Sequence, residues 1–200
     1  MQMRSYQTLD DVFEQVEFFI DAVSGYKSDF VLFPEYFNAP LMAKFNHMGE
    51  AQSIRALAQY TEEIRDRFIN LAIKHNINII TGSMPYVKED GGLYNVGFLC
   101  RRDGTYEMYE KIHVTPDEVK SWGLSGGKRV QTFETDCAKI GVLICYDVEF
   151  PELSRLMADQ GMQILFVPFL TDTQNGYSRV RVCAQHVPSK TNVLWLLPEV

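Results

Sequence analysis

A chain of 200 residues can bury one sizeable hydrophobic core, and 46% hydrophobic and 22% charged residues are typical of a soluble globular domain. The formal net charge of −7 argues against nucleic acid or an anionic membrane as a partner, because no basic run is available to neutralise phosphates. No apolar stretch is long enough to span a bilayer, and the opening MQMRSYQTLDDVFEQ lacks a signal-peptide pattern.

The first part of the chain alternates between helix-like and strand-like patterns. Thr8 is a typical helix N-cap, with Asp11 three positions later, and apolar residues then recur at helical spacing until Gly25. After this helix we predict a short buried strand at 29–33, a helix over about 51–75 and a β-rich run at 77–83.

The second part is richer in strands. Turn signals at 89–92 and 102–104 flank the strand-like runs LYNVGFLC and TYEMYEKIH, which predicts hairpins and a sheet that is not wholly parallel. There follow the predicted strands VQTFETD, KIGVLICY and MQILFVPF, a short helix from Pro151 to Gln160, and a helix over about 178–187. Helices with one apolar face beside a mixed sheet indicate an α/β sandwich in one domain, residues 1–200.

The four cysteines, at positions 100, 137, 145 and 183, form no Cys-x-x-Cys pair, and no histidine has zinc-ligand spacing. We therefore predict reduced thiols in a cytoplasmic protein, without a metal or cofactor.

One cysteine, however, stands at the polar end of an apolar run. In KIGVLICYDVEFPELSRL, Cys145 follows Ile140–Ile144, and a helix is predicted to begin near Pro151. The N–H groups at the start of that helix would lower the thiol pKa and favour the nucleophilic thiolate. Taken alone, Cys145 fits equally well as a small apolar core residue.

Two further strand ends carry a charge. VLFPEYF places Glu35 directly after a strand, where partial desolvation would raise its pKa and suit a general base; a solvated loop glutamate fits the same pattern. YEMYEKIHVTPDE places Lys111 after another strand, with Glu118 seven positions later. That lysine could stabilise an oxyanion or simply protect a sheet edge. A thiol, a carboxylate and an ammonium together suffice for acyl transfer without histidine.

VLFPEYF, YEKIHVTPDE and GVLICYDVEFPE, in this order, resemble the three motif blocks of the nitrilase, or carbon–nitrogen hydrolase, superfamily. The resemblance runs from about residue 10 to 185. The wording of the blocks is most similar to the amidase-type domain that some bacterial proteins carry behind an acetyltransferase domain. The resemblance to the superfamily implies a four-layer α-β-β-α sandwich with mixed sheets.

The resemblance also implies roles for site residues. Cys145 would be the nucleophile, Glu35 the general base and Lys111 the oxyanion partner. Glu118 would position the substrate or the lysine, and the backbone N–H of Tyr146 would be a second oxyanion donor. The implied reaction cleaves a small amide into a carboxylic acid and ammonia or an amine through a cysteine thioester; nitrile hydrolysis is a lesser variant.

The other polar residues nearby are interpreted as mainly structural. Glu152 opens a helix, where its charge favours the helix dipole. Asp147 and Glu149 either shape the pocket mouth or are solvated, and His113 either lines the pocket or is structural. Four aromatic residues could line a pocket or pack the core: Tyr36, Phe37, Trp122 and Tyr146.

Both ends of the chain depart from the family pattern. MQMRSYQ replaces a complete first strand, and after RVRVCAQ the sequence reads HVPSKTNVLWLLPEV, in which Pro188 would break the expected helix. We therefore expect an incomplete sandwich that lacks a full first strand and the C-terminal elements. If the fold is complete enough, the family predicts a homodimer or a higher homo-oligomer.

Three alternatives to the amide hydrolase stay open. The chain could be an inactive remnant that serves as a binding or assembly module. It could be an acyltransferase that uses the same thioester, or Cys145 could be a redox sensor with Cys137 as its resolving thiol.

Overall fold

A computed structural model describes residues 6–171 and 173–185 and the backbone of residues 194–196. The predicted helix break at Pro188 and residues 186–187 of the last predicted helix lie outside the described residues. Within the described parts, no helix is both long and apolar enough to cross a membrane.

The strands from the first part of the chain form one mixed sheet, the first sheet. Its strands are β1 (Phe30–Leu32), β2 (Asn78–Ile80), β3 (Met84–Val87), β4 (Leu93–Cys100), β5 (Tyr106–Glu110) and β6 (Leu124–Ser125). β1 and β2 are parallel, whereas β2, β3 and β5 all run antiparallel to β4. The two predicted hairpins are therefore present, and β6 adds a parallel pair with β4.

Helices α1 (Leu9–Gly25), α2 (Glu50–Leu57) and α3 (Thr61–His75) pack on the outer face of the first sheet. The predicted capping box is confirmed, since the Thr8 hydroxyl accepts from the Asp11 N–H and the Asp11 carboxylate accepts from the Thr8 N–H. The single helix predicted over 51–75 is wrong, because a 3-10 turn at Ala58–Tyr60 divides it. After this turn the Thr61 hydroxyl donates to the Pro85 carbonyl at 2.6 Å and attaches α3 to β3.

The second sheet contains β7 (Thr132–Glu134), β8 (Lys139–Val142), β9 (Ile164–Phe166) and β10 (Leu194–Leu196). β7 is antiparallel to β8, and β8, β9 and β10 are parallel. Helices α4 (Pro151–Asp159) and α5 (Gln174–Gln185) pack against this sheet. α5 begins earlier than predicted because the Thr173 hydroxyl accepts from the Gly176 N–H at 3.0 Å, a capping bond that the apolar spacing did not reveal.

The two sheets pack face to face because their strands alternate side chains between faces. Ile79 points into the helix-covered core, whereas its neighbour Ile80 joins the core shared with the second sheet. The Phe30 and Phe166 rings meet across that core with centroids 5.2 Å apart. The predicted α-β-β-α sandwich with mixed sheets is confirmed.

Gly82 fixes the path of the loop after β1. Its φ of +70° lies in the left-handed region, and a Cβ there would stand 1.9 Å from the Pro34 carbonyl oxygen. The Gly82 carbonyl accepts the Tyr109 hydroxyl at 2.6 Å, and the Ser83 N–H donates to the Pro34 carbonyl at 3.3 Å. The position of Glu35, the residue after Pro34, therefore depends on this glycine.

Gly82→Ala is expected to lower the free energy of unfolding by about 2–4 kcal/mol, since it adds left-handed strain and a backbone clash. Gly91→Ala is the matched control, because Gly91 has a φ of +76° but open space around its Cβ position. It should lose only about 1 kcal/mol. Urea denaturation measures both values, and equal losses would mean that the contact with Pro34 does not constrain the loop.

Candidate active site

Glu35 is buried in the turn that follows β1, with 2% of its surface exposed. The next residue, Tyr36, has a φ of +49°, so the chain turns sharply immediately after the carboxylate. Oε1 accepts from the Lys111 ammonium at 2.8 Å and from the Asn95 side-chain amide at 3.0 Å. Oε2 accepts from the Leu170 backbone N–H at 3.1 Å. The glutamate is thus held in one orientation from three separate segments.

Lys111 follows β5 and is almost completely buried between two carboxylates. Besides its contact with Glu35, its Nζ donates to Glu118 Oε1 at 2.9 Å and to Oε2 at 2.8 Å. Burial lowers the pKa of Lys111, but the charges of Glu35 and Glu118 raise it by more, so the net shift is upward. The buried side chain is therefore a permanent ammonium.

Glu118 is positioned by a capping box that the sequence TPDE encodes. Its Oε2 accepts from the Thr115 N–H at 2.8 Å, and the Thr115 hydroxyl accepts from the Glu118 N–H at 3.3 Å. The Tyr36 hydroxyl also donates to Glu118 Oε1 at 2.9 Å. Because these bonds orient the carboxylate, it meets Lys111 with both oxygens.

Cys145 begins a short 3-10 helix, Cys145–Glu149, shortly after β8 ends. Its φ of +48° is unusual for a residue other than glycine, and its N–H donates to the Pro168 carbonyl at 2.9 Å. The thiol is buried, and its sulfur lies 4.0 Å from the Leu170 carbonyl oxygen. The segment after β9 thus contacts Cys145 through the Pro168 carbonyl and Glu35 through the Leu170 N–H.

The prediction of a lowered thiol pKa is wrong. Burial raises the pKa of Cys145, and the charge of the Glu35 carboxylate raises it further; Lys111 offsets this only in part. The expected helix, α4, begins only at Pro151, after the whole 3-10 helix. The thiol is un-ionised at neutral pH, so its reaction as a nucleophile requires a base that takes its proton.

Glu35 has the raised pKa that the sequence predicted. Burial raises it, the Lys111 charge lowers it, and the nearby Glu118 charge raises it again, with a net upward shift from 4.5. A buried carboxylate with a raised pKa beside an un-ionised thiol is a suitable base for that thiol.

We expect the alkylation rate of Cys145 by iodoacetamide to fall as the pH decreases through the raised pKa of Glu35, because the protonated acid cannot accept the thiol proton. The midpoint should lie above pH 4.5, the ordinary value. Rate constants measured between pH 4 and 8 in a Cys137→Ser background, which removes the exposed thiol, test this. Glu35→Gln should give a slow rate without this step; an unchanged step in that variant would exclude Glu35 as its source.

Asn95 was missed by the sequence analysis, although an asparagine inside the apolar run LYNVGFLC is a visible signal. It is buried on β4, its amide donates to Glu35, and its backbone carbonyl accepts the Lys111 N–H at 2.9 Å. The hydrogen bond from the Asn95 side-chain amide stabilises the charged Glu35 carboxylate. Asn95→Leu should therefore raise the pH at which the alkylation rate of Cys145 falls. A step at the wild-type pH would show that Asn95 does not influence the Glu35 charge.

Asp147, which the sequence left as pocket-shaping or solvated, is completely buried. Its carboxylate accepts from the backbone N–H groups of His113 at 2.7 Å, and of Ile112 and Ile144 at 3.2 Å. Burial raises the pKa of Asp147 to about 6, although these N–H groups act against the shift. The side chain joins the segment that follows Lys111 to the segment that precedes Cys145.

His113 and the neighbouring acidic residues have structural contacts. The His113 ring stacks on Phe150 with centroids 3.6 Å apart, and its Nδ1 lies 3.3 Å from Asp147. Glu149 pairs with Arg179 at 3.3 Å. Glu152 is exposed in the first turn of α4, where the sequence analysis placed it as a structural residue.

A cavity of about 280 Å³ brings the predicted residues together. Its lining consists of Glu35, Tyr36, Glu50, Lys111, Thr115, Asp117, Glu118, Ser121, Trp122, Cys145 and Leu170. Of the four aromatic candidates, Tyr36 and Trp122 line it, whereas Phe37 lies in the helix-covered core and the Tyr146 ring packs against Phe150. The cavity has the chemistry for a nucleophilic attack by sulfur with a buried base and a buried cation.

The remaining cysteines lie away from this cavity. Cys100 is buried on β4, where burial raises its pKa to about 12, Cys137 is exposed and Cys183 is half-buried on α5. All four thiols are free. Within the described ranges, no group of His, Cys, Asp or Glu side chains is arranged to hold a metal ion.

The sequence is similar to a family model and to proteins of other organisms. The family model for carbon–nitrogen hydrolases matches residues 1–197. "Probable hydrolase YhcX" of Bacillus subtilis is 45% identical over 184 residues, which are 92% of this chain and 36% of that protein. "Omega-amidase NIT2" of Danio rerio is 33% identical over 162 residues, 74% of this chain and 54% of the relative. The chain thus spans about a third to a half of the length of these relatives.

Solved structures of the same superfamily share the fold. The crystal structure of Nit3 from Saccharomyces cerevisiae, a member of branch 10 of the nitrilase superfamily, aligns with a TM-score of 0.74 and 25% identity. The alignment covers 98% of this chain and 73% of Nit3.

Proposed function

The chain belongs to the carbon–nitrogen hydrolase family, and we propose that it hydrolyses a small amide to a carboxylic acid and ammonia or an amine. The observation that supports this proposal is the single cavity that contains Cys145, Glu35, Lys111 and Glu118. The proposed chemistry uses these four side chains and the backbone N–H of Tyr146, and we propose that residues 1–200 form one hydrolase domain.

In the first step, Cys145 attacks the amide carbonyl carbon. Because the thiol is un-ionised, Glu35 takes its proton as the sulfur–carbon bond forms. The carbonyl π electrons move to the oxygen, which becomes an oxyanion. Glu35 is suited to this transfer since its raised pKa makes it a stronger base than an ordinary carboxylate.

The oxyanion is stabilised by the Lys111 ammonium and the backbone N–H of Tyr146. Lys111 carries a full charge in a buried site, where its attraction for a developing negative charge is stronger than in water. Tyr146 lies in the first turn of the short helix at Cys145, where N–H groups have no carbonyl one turn earlier in the helix. Glu118 holds the ammonium in place.

The remaining steps return the enzyme to its starting state. Glu35 gives its proton to the amide nitrogen, the C–N bond breaks, and ammonia or an amine leaves a thioester on Cys145. Water then attacks the thioester carbonyl while Glu35 takes one of its protons. The carbon–sulfur bond breaks, the sulfur regains the proton and the carboxylic acid leaves.

Ammonia release from small neutral primary amides, such as propanamide, butanamide and hexanamide, tests the proposed reaction. The expected result is steady release by the wild type and none by Cys145→Ser. Added hydroxylamine should divert the product to a hydroxamate by intercepting the thioester. If hydroxamate forms when hydroxylamine is present but no acid is released when it is absent, the enzyme is an acyltransferase. Turnover of nitriles but not of amides would indicate a nitrilase. No turnover of any of them would favour the inactive remnant.

We also propose that the protein works in the reducing cytoplasm as a homodimer or a higher homo-oligomer. The four free thiols support a reducing compartment. The contact between copies is what the family resemblance implies. Light scattering of the purified chain would contradict the oligomer if it gave a monomer at micromolar concentration.

A further inference from the structure

The cavity that contains Cys145 is strongly acidic. At its inner end the ammonium of Lys111 faces two carboxylates, Glu35 and Glu118, which leaves one net negative charge. Two more carboxylates, Glu50 at the start of α2 and Asp117 next to Glu118, line the exposed part. Among the described residues of the lining, Lys111 is the single basic one, so four carboxylates face one ammonium.

The two outer carboxylates are not neutralised by neighbouring side chains. Neither Glu50 nor Asp117 has an ion pair or a side-chain hydrogen bond within the described part of the chain. Other exposed carboxylates of the molecule do have such partners: Asp10 and Glu63, for example, both pair with Arg67. The unpaired charges of Glu50 and Asp117 therefore act on whatever enters the cavity.

An aromatic wall accompanies these charges. Tyr36 and Trp122 meet edge to face, with ring centroids 5.4 Å apart, and both line the cavity. Aromatic faces attract cations, and their attraction adds to that of nearby carboxylates. An anionic group in the same place would be repelled by the four carboxylates and attracted only by Lys111, whose single charge is already exceeded by those of Glu35 and Glu118.

From this charge distribution we infer that the substrate is an amide whose non-reacting end carries a positive charge, such as an ammonium group. Glu50 and Asp117 bind that cation beside the Tyr36 and Trp122 rings while the amide carbonyl reaches Cys145. The inference rests on the proposed amide hydrolysis and adds the chemical class of the substrate. It makes Glu50 and Asp117 specificity residues that take no part in bond breaking.

Three amides of similar length that differ in terminal charge provide the test: 5-aminopentanamide, hexanamide and the monoamide of glutaric acid. The kcat/KM of the cationic amide should exceed that of the neutral one by about tenfold, and the anionic amide should be the poorest. The difference should lie mainly in KM, because the cation is bound away from the reacting atoms, and should shrink with added salt.

The double variant Glu50→Gln/Asp117→Asn should bring the ratio of cationic to neutral kcat/KM towards one. The double variant Glu14→Gln/Asp159→Asn is the matched control, since it removes the same total charge at exposed positions outside the cavity. This control should keep the wild-type ratio.

Equal or better hydrolysis of hexanamide by the wild type would overturn the charge preference while leaving amide hydrolysis intact. The preference would also be overturned if Glu50→Gln/Asp117→Asn kept the wild-type ratio of cationic to neutral kcat/KM, or if Glu14→Gln/Asp159→Asn lowered that ratio equally. Calorimetric binding of the three amides to Cys145→Ala separates recognition from chemistry. Stronger binding of the cationic amide without turnover by the wild type would support the preference and contradict the hydrolysis; absence of both would overturn both.

Discussion

Replacing Lys111 with methionine is expected to lower the free energy of unfolding by about 3–5 kcal/mol, because it leaves two buried carboxylates without their counter-charge. The ammonium contacts Glu35 at 2.8 Å and Glu118 at 2.8 Å, and all three side chains are buried. The repulsion between the carboxylates would then act without compensation. The loss should increase as the pH rises, since deprotonation creates the unpaired charges.

Urea denaturation at pH 5 and pH 8 measures this loss, with Lys139→Met as the matched control. Lys139 pairs with Glu134 at 2.8 Å on the surface, so its replacement should cost about 0–1 kcal/mol. The double variant Lys111→Met/Glu118→Gln should regain part of the stability because it removes one uncompensated charge. A Lys111 variant as stable as the surface control would contradict the buried three-residue network.

The same double variant separates stability from catalysis. If it folds, it should still lose at least about 10²-fold in amide hydrolysis, since the cation that faces the oxyanion is missing. Recovery of activity together with stability would show that Lys111 is only a structural counter-ion.

Replacing Cys145 with alanine is expected to abolish amide hydrolysis, with a loss of at least about 10⁴-fold, because the covalent route disappears. The fold should remain, since alanine keeps the Cβ and removes only one small buried atom. Cys137→Ala is the matched control: this thiol is exposed and outside the cavity, so its loss should leave the rate unchanged. Ammonia release measures both variants, and near-normal release by Cys145→Ala would exclude the thioester.

The sequence was most informative where local pattern and chemistry coincide. The spacing after Thr8 predicted α1 and its cap, the turn signals predicted the hairpins on β4, and three strand ends carried Glu35, Lys111 and Cys145. Each of these features depends on a few neighbouring residues. The resemblance to a family then ordered these three strand ends into one expected site.

What the sequence did not show depends on contacts between distant segments. The bond from the Leu170 N–H to Glu35 spans 135 positions, and the bond from Asn95 spans 60. The thiol pKa was predicted in the wrong direction because burial and the Glu35 charge exceed any effect of a helix start. The break between α2 and α3 likewise reflects a tertiary bond, from Thr61 to Pro85, rather than a local breaker residue.

The proposed mechanism requires that Cys145 forms a thioester with the acyl part of an amide. In the test, the enzyme is mixed with an amide that it hydrolyses, and the reaction is stopped with acid within milliseconds. The mass of the protein and of the peptide that contains Cys145 is then measured. We expect the peptide to gain the acyl group in the wild type, and the Cys145→Ala protein to show no gain. Consumption of the amide without an adduct on Cys145, or with an adduct only on another residue, would contradict the claim.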